Sequence, residues 1–125
     1  MTPKYQPGQV WTYHTRDGED ESRLVILHLD SDPKLDTIVH VYIEGVSIKN
    51  PHAPSGVGTE IGHLPFAEKA IDNSVLHHIG TRTLPDFQEG YDTWREAFDS
   101  GQAGVFTITA AEAVDCMEQA LNQAG

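Results

Sequence analysis

Apolar and polar positions along the chain follow a two-residue period in the first half and a helical period in the last third. After the break at Pro7-Gly8, residues Gln9 to Arg16 alternate, with Trp11 and Tyr13 on one face. Ser22 to Asp30 is apolar and β-branched, and Thr37 to Ile48 sets Val39, Val41 and Ile43 against His40, Tyr42 and Glu44. Polar turns at Asp17 to Glu21 and Ser31 to Lys34 separate them, which predicts an antiparallel three-stranded meander. Turns centred near Glu19 and Lys34 set His28 opposite His40, Leu27 near Val41 and Val25 opposite Ile43. They also set Trp11 opposite Leu27 and Tyr13 opposite Val25. Trp11, Tyr13, Val25, Leu27, Val39, Val41 and Ile43 then share a core face. Val10, Leu24, Ile26 and Tyr42 fall on the other face beside Thr12, His14, His28 and His40, and that face is too apolar to stay wet.

Asn50 to His63 is rich in breakers and reads as a loop. Pro65 suits a first helical turn, and Phe66, Ala70, Ile71, Val75 and Ile79 follow at helical spacing until Gly80. From Phe87 to Asp99 a second helix carries Phe87, Tyr91, Trp94 and Phe98 on one face and Glu89, Asp92, Glu96 and Asp99 on the opposite one. Val105 to Ile108 reads as a late strand, and Thr109-Ala110-Ala111-Glu112 is a capping box. It opens a last helix that buries Ala110, Val114, Met117 and Leu121. Segregated strands and helices predict an α+β fold: a mainly antiparallel sheet packed by about three helices, in one domain over residues 1–125.

Charge narrows the partners. The chain carries 19 acids against 8 bases, and from Thr83 onward eight acids face one base, Arg95. Such a field repels nucleic acid and anionic membrane and attracts basic partners. No apolar run approaches bilayer length, no signal-like stretch opens the chain, and one cysteine, Cys116, excludes an internal disulfide. A cytoplasmic location is the expectation.

Motifs of catalysis are weak. The seven histidines show no paired spacing on a helix, His77 and His78 point apart, and only His28 and His40, with His14 near, have a route to meet. Gly56 to Gly62 lacks the Gly-Lys-Ser/Thr of a phosphate loop. Cys116 lies between acids and reads as a half-buried structural thiol. Neither Ser74 nor Ser100 sits in a nucleophile elbow. No metal and no cofactor are expected.

The stretch Pro7-Gly8-Gln9-Val10-Trp11-Thr12-Tyr13, with Ile61 to Ala67 and Phe106-Thr107-Ile108 further on, resembles a family of small uncharacterised bacterial proteins. The resemblance implies a bacterial, cytosolic protein and carries no activity or site residue with it.

Three readings follow from the sequence. The first is a non-enzymatic acidic module, an immunity- or antitoxin-like inhibitor of a basic bacterial protein, meeting it through Glu89, Asp92, Glu96 and Asp99 or, second, through Asp17 to Glu21. The second is a small enzyme or ligand-binding domain with a cleft at the 50–63 loop, using His63, Glu60, His28 and His40. The third is a homo-oligomeric module whose partner subunit covers Val10, Leu24, Ile26 and Tyr42. The net charge of -11 predicts no direct nucleic-acid binding. Titration of duplex and single-stranded oligonucleotides at ~0.1 M salt, where the Debye length is about 10 Å, is expected to show no micromolar complex; salt-sensitive micromolar binding contradicts the expectation.

Overall fold

A computed structural model describes residues 4–123 and shows an α+β fold. Five antiparallel strands form one sheet in the order β4-β3-β2-β1-β5. They are β1 (Gln9–Tyr13), β2 (Arg23–Asp32), β3 (Asp36–Lys49), β4 (Val57–Ala67) and β5 (Val75–Thr81). The helices are α1 (Glu68–Asp72), α2 (Gln88–Asp99) and α3 (Ala110–Gln123). The meander stands as read from its turns, extended by β4 on one side and closed by β5 on the other. Among the described residues, no helix is long and apolar enough to cross a membrane.

Two segments differ from the sequence reading. The 50–63 loop is only a turn: the amide of Asn50 donates to Gly56 O, and β4 begins at Val57. The helix expected from Pro65 to Ile79 is instead the end of β4, one helical turn and β5. Its spacing of apolar residues is met by a strand ending in buried Leu64 and Phe66, then by Ala70 and Ile71 buried from α1. Val75 and Ile79 belong to an edge strand paired with β1, where β-branched residues fit and Ile79 stays 53% exposed. Val105 to Ile108 contributes a single parallel bridge, Phe106 to Phe66, rather than a strand.

Register departs from expectation by one residue over half of β2. His28 pairs with His40 as read, but an irregularity between Ile26 and His28 slips the remainder. Val25 therefore pairs with Tyr42 and Leu24 with Ile43; in the first hairpin the departure is three residues, with Trp11 opposite Leu24 instead of Leu27. A one-residue slip turns every side chain to the opposite face. Leu24 and Ile26 accordingly join Trp11, Tyr13, Val39, Val41 and Ile43 in the main core, which α1 and α3 cover with Ala70, Ile71, Ala110, Ala113 and Val114. Val25 and Leu27 turn to the other face with Tyr42, Val10 and Phe87. Of the residues assigned to a partner subunit, Leu24 and Ile26 are thus buried in the main core, while Tyr42 and Val10 pack with Phe87 on the face that carries α2. Each such apolar side chain, fully buried, contributes about 2 kcal/mol.

α3 is fixed at both ends. Its capping box forms as read: Glu112 Oε1 accepts from the amide of Thr109, and Thr109 Oγ1 accepts from the amide of Glu112. Toward its C-terminal half, Arg16 donates to Asp115 at 3.0 Å and Glu118 at 2.9 Å, and grips Glu19 with two further bonds at 2.9 and 2.7 Å. Glu19 is only 5% exposed and also accepts from the Ser47 amide. The Asp17 to Glu21 turn is thus partly consumed in holding α3 to the sheet. Arg16→Met leaves the buried Glu19 carboxylate without its counter-charge. A loss of about 3 kcal/mol in chemical denaturation is expected, because half of a buried ion pair is costly to strand; a loss within experimental error refutes the clamp.

Candidate functional site

Two irregularities in the sheet gather the polar residues under α2. The slip in β2 makes Leu27 and His28 successive residues on one face, so Val25 and Leu27 at one end of the strand and His28 and Asp30 at the other all turn toward α2. β3 supplies His40 from the same face, two residues before Tyr42. In β4, Leu64 pairs with Val41 but Ile61 pairs with Ile43, which sets Gly62 and His63 together against Tyr42. Bulges of this kind re-aim side chains locally. α2 then lays Tyr91, Trp94 and Arg95 over the cluster.

Asp30 is the hub. Its Oδ2 accepts from His40 Nε2 at 2.8 Å and from the Tyr91 hydroxyl at 2.9 Å, and its Oδ1 lies 3.2 Å from His28 Nε2. The Arg95 guanidinium stands 3.8 Å away. Burial alone would raise the Asp30 carboxyl, but the bonds from Tyr91 and His40 hold it below its ordinary value. His40 is fully buried, with the Trp94 ring edge-on at 4.8 Å, and on its far side Nδ1 lies 2.8 Å from His63 Nε2. Burial pushes His40 down to about 4, against the pull of Asp30, and also lowers His63. Both imidazoles are therefore neutral at pH 7.

The proton positions follow. An ionised Asp30 can only accept, so His40 carries its proton on Nε2 and offers a lone pair at Nδ1. His63 must then donate from Nε2, and its own Nδ1 is left as a lone pair with no hydrogen-bond partner among the described residues. The line Asp30, His40, His63 turns a partly buried carboxylate into an oriented, neutral acceptor at its other end.

His63, whose unpartnered Nδ1 is not buried, lines an open cleft of about 500 Å³ together with Gly62, Asp86, Phe87, Glu89, Gly90 and Thr93. Gly90 explains itself here. A Cβ at this helical position would meet His63 Cβ at 3.3 Å, so glycine lets the first turn of α2 close onto the imidazole. Asp86 accepts weakly from the Gln88 amide, and the Thr93 hydroxyl is spent on Glu89 O.

The structure brings together His28, His40 and His63 but not Glu60, which is exposed and accepts from the Tyr42 hydroxyl instead. His14 lies away from the cluster, in a separate depression with Arg23 and Leu76. Glu89, Asp92, Glu96 and Asp99 are all exposed on the outward face of α2, with Asp92 accepting from Gln88 and Asp99 paired with Arg95. Cys116 is exposed, not half-buried, because the apolar stripe of α3 runs through Ala113, Val114 and Met117. Sequence reasoning missed Asp30 and Tyr91 as site residues. The His28-x-Asp30 pattern opposite His40 was the available signal. Among the described residues, no group of three or more His, Cys, Asp or Glu side chains is placed to hold a metal ion. In comparisons with known proteins, no family model matches the chain, and no curated protein and no solved structure matches it either.

The relay has a pH signature. A histidine held at about 4 when folded and near 6.5 when unfolded takes up its proton more readily in the unfolded chain. Its stabilising effect is complete above the unfolded value and is lost as pH falls from there toward 4, on the order of 3 kcal/mol over the whole window. His63 acts in the same direction. Urea midpoints are expected to fall between pH 7 and pH 4.5, and His40→Gln should flatten that fall; a profile unchanged by the substitution contradicts the assignment.

Proposed function

We propose that the chain is a small ligand-binding domain of acid–base type, with His63 in the cleft between β4 and α2 as its working group. One observation carries the reading: an unbroken hydrogen-bonded line from Asp30 through a fully buried His40 ends on a ring that lines a cleft. Stability alone does not call for it, since a buried polar network is often matched or bettered by apolar residues of similar volume. What the line provides is orientation and a defined tautomer. His63 Nδ1 can accept a hydrogen bond from a ligand, or a proton from a group bound in the cleft. No serine, threonine or cysteine among the described residues is hydrogen-bonded to His63, so the arrangement does not support acyl transfer through a side-chain nucleophile. A fragment screen by ligand-observed NMR is expected to give hits on the wild type that weaken with His63→Phe, which keeps the ring and removes both nitrogens. Hits that all survive the substitution sink the proposal.

A second reading is favoured by the four exposed carboxylates Glu89, Asp92, Glu96 and Asp99, of which Glu89 also lines the cleft. Their outward face is suited to a basic protein, in the manner of a bacterial immunity or antitoxin protein acting in the cytoplasm, where opposed fields speed association. The partner to test is a basic protein encoded beside this one. Its complex should weaken with added salt and be lost when Glu89, Asp92, Glu96 and Asp99 are changed together to their amides; a complex indifferent to all four changes refutes this reading.

A further inference from the structure

The side chains that line the cleft are one-sided in their chemistry. The His63 imidazole and the Asp86 and Glu89 carboxylates are acceptors, and Phe87 adds an apolar ring. The lining contains no lysine or arginine. The one base on α2, Arg95, is taken up by Asp99 and Asp30. The Thr93 hydroxyl, which could have donated, is turned to a backbone carbonyl. An anionic ligand would meet two carboxylates and no cationic side chain, with only the first turn of α2 in its favour. A metal ion would lack a grouped ligand set. A neutral imidazole beside carboxylates fits a different guest, because it accepts an N–H without adding positive charge of its own.

We propose that the cleft binds a small cationic nitrogen compound, a guanidinium or primary ammonium, with His63 Nδ1 accepting one N–H and Asp86 and Glu89 balancing the charge. The proposal rests on the reading of His63 as the working group and adds the ligand class. The cleft volume of about 500 Å³ suits a small molecule. Direction matters as much as charge. Asp30 fixes His63 as an acceptor, and an amide in its place can donate to His40 Nε2, which reverses each bond in the line and leaves a proton on His63 Nδ1. An N–H donor would then meet another donor. This logic is general: an asparagine in place of an orienting aspartate leaves the geometry and installs the wrong tautomer.

The test is an NMR titration of the full chain at neutral pH with four probes: methylguanidinium, methylammonium, methylurea and tetramethylammonium. Methylurea matches the shape of methylguanidinium without its charge, and tetramethylammonium matches charge without an N–H. Methylguanidinium and methylammonium are expected to shift the cleft resonances saturably in the millimolar range, with methylguanidinium about tenfold tighter than methylurea, as charge-assisted bonds allow. Tetramethylammonium should give no saturable shift. Glu89→Gln, at an exposed position, should weaken the cations and not methylurea, and Asp30→Asn should weaken all three N–H donors. Methylurea binding as tightly as methylguanidinium overturns the cationic class and leaves the cleft reading standing. An equal response to tetramethylammonium overturns the hydrogen bond to His63. No saturable shift from either N–H cation overturns the proposal, while the fragment screen with His63→Phe judges the cleft reading separately.

Discussion

The bond between Asp30 and His40 is the constraint around which one face of the molecule is arranged. A carboxylate and an imidazole placed under a helix lose their water, and the loss is tolerable only if every lone pair and proton finds a partner. Asp30 is therefore met from three elements: His28 beside it in β2, His40 in β3 and Tyr91 on α2. His40 passes the requirement on to His63 in β4. No buried side-chain nitrogen or oxygen among the described residues is left without a partner. α2 sits where it does because it completes this set, adding Trp94 over His40 and an indole N–H to Gly104 O.

The same face must also be apolar, since Phe87, at the N-cap of α2, packs against Val25, Leu27 and Tyr42. A regular strand would present its apolar and polar residues on alternate faces all along its length. The irregularity at Leu27 resolves the conflict by turning Val25, Leu27, His28 and Asp30 to the same side. Its counterpart at Gly62 and His63 carries the end of the line out to the cleft. Both features sit beside the site, as bulges commonly do.

These two slips also explain what the sequence could and could not reveal. α2 and α3 were legible because their apolar positions recur at helical spacing, and the Thr109 to Glu112 box announces the start of α3. The His28 to His40 pairing was legible from the 31–34 turn, which lies on the near side of the slip. Beyond Leu27 the turn no longer governs the register, and Leu24, Val25, Ile26 and Leu27 are all apolar, so nothing in their pattern reports which face each one takes. β5 was hidden for a related reason. Val75 and Ile79 lie four residues apart, which suits a helix as well as a strand, and only pairing with β1 decides between them. The acidic face of α2 was read correctly from spacing, but its neighbour, the relay, depends on residues from four elements that no local pattern joins.

The central claim is that Asp30 sets the direction of the whole line, and proton positions test it directly. Long-range nitrogen–proton correlation spectra of the ligand-free protein at pH 7 report the tautomer of each imidazole. His40 and His63 should both be neutral, protonated on Nε2 and bare on Nδ1. A His63 protonated on Nδ1, or an imidazolium at either position, would mean that the line does not run from Asp30 to the cleft.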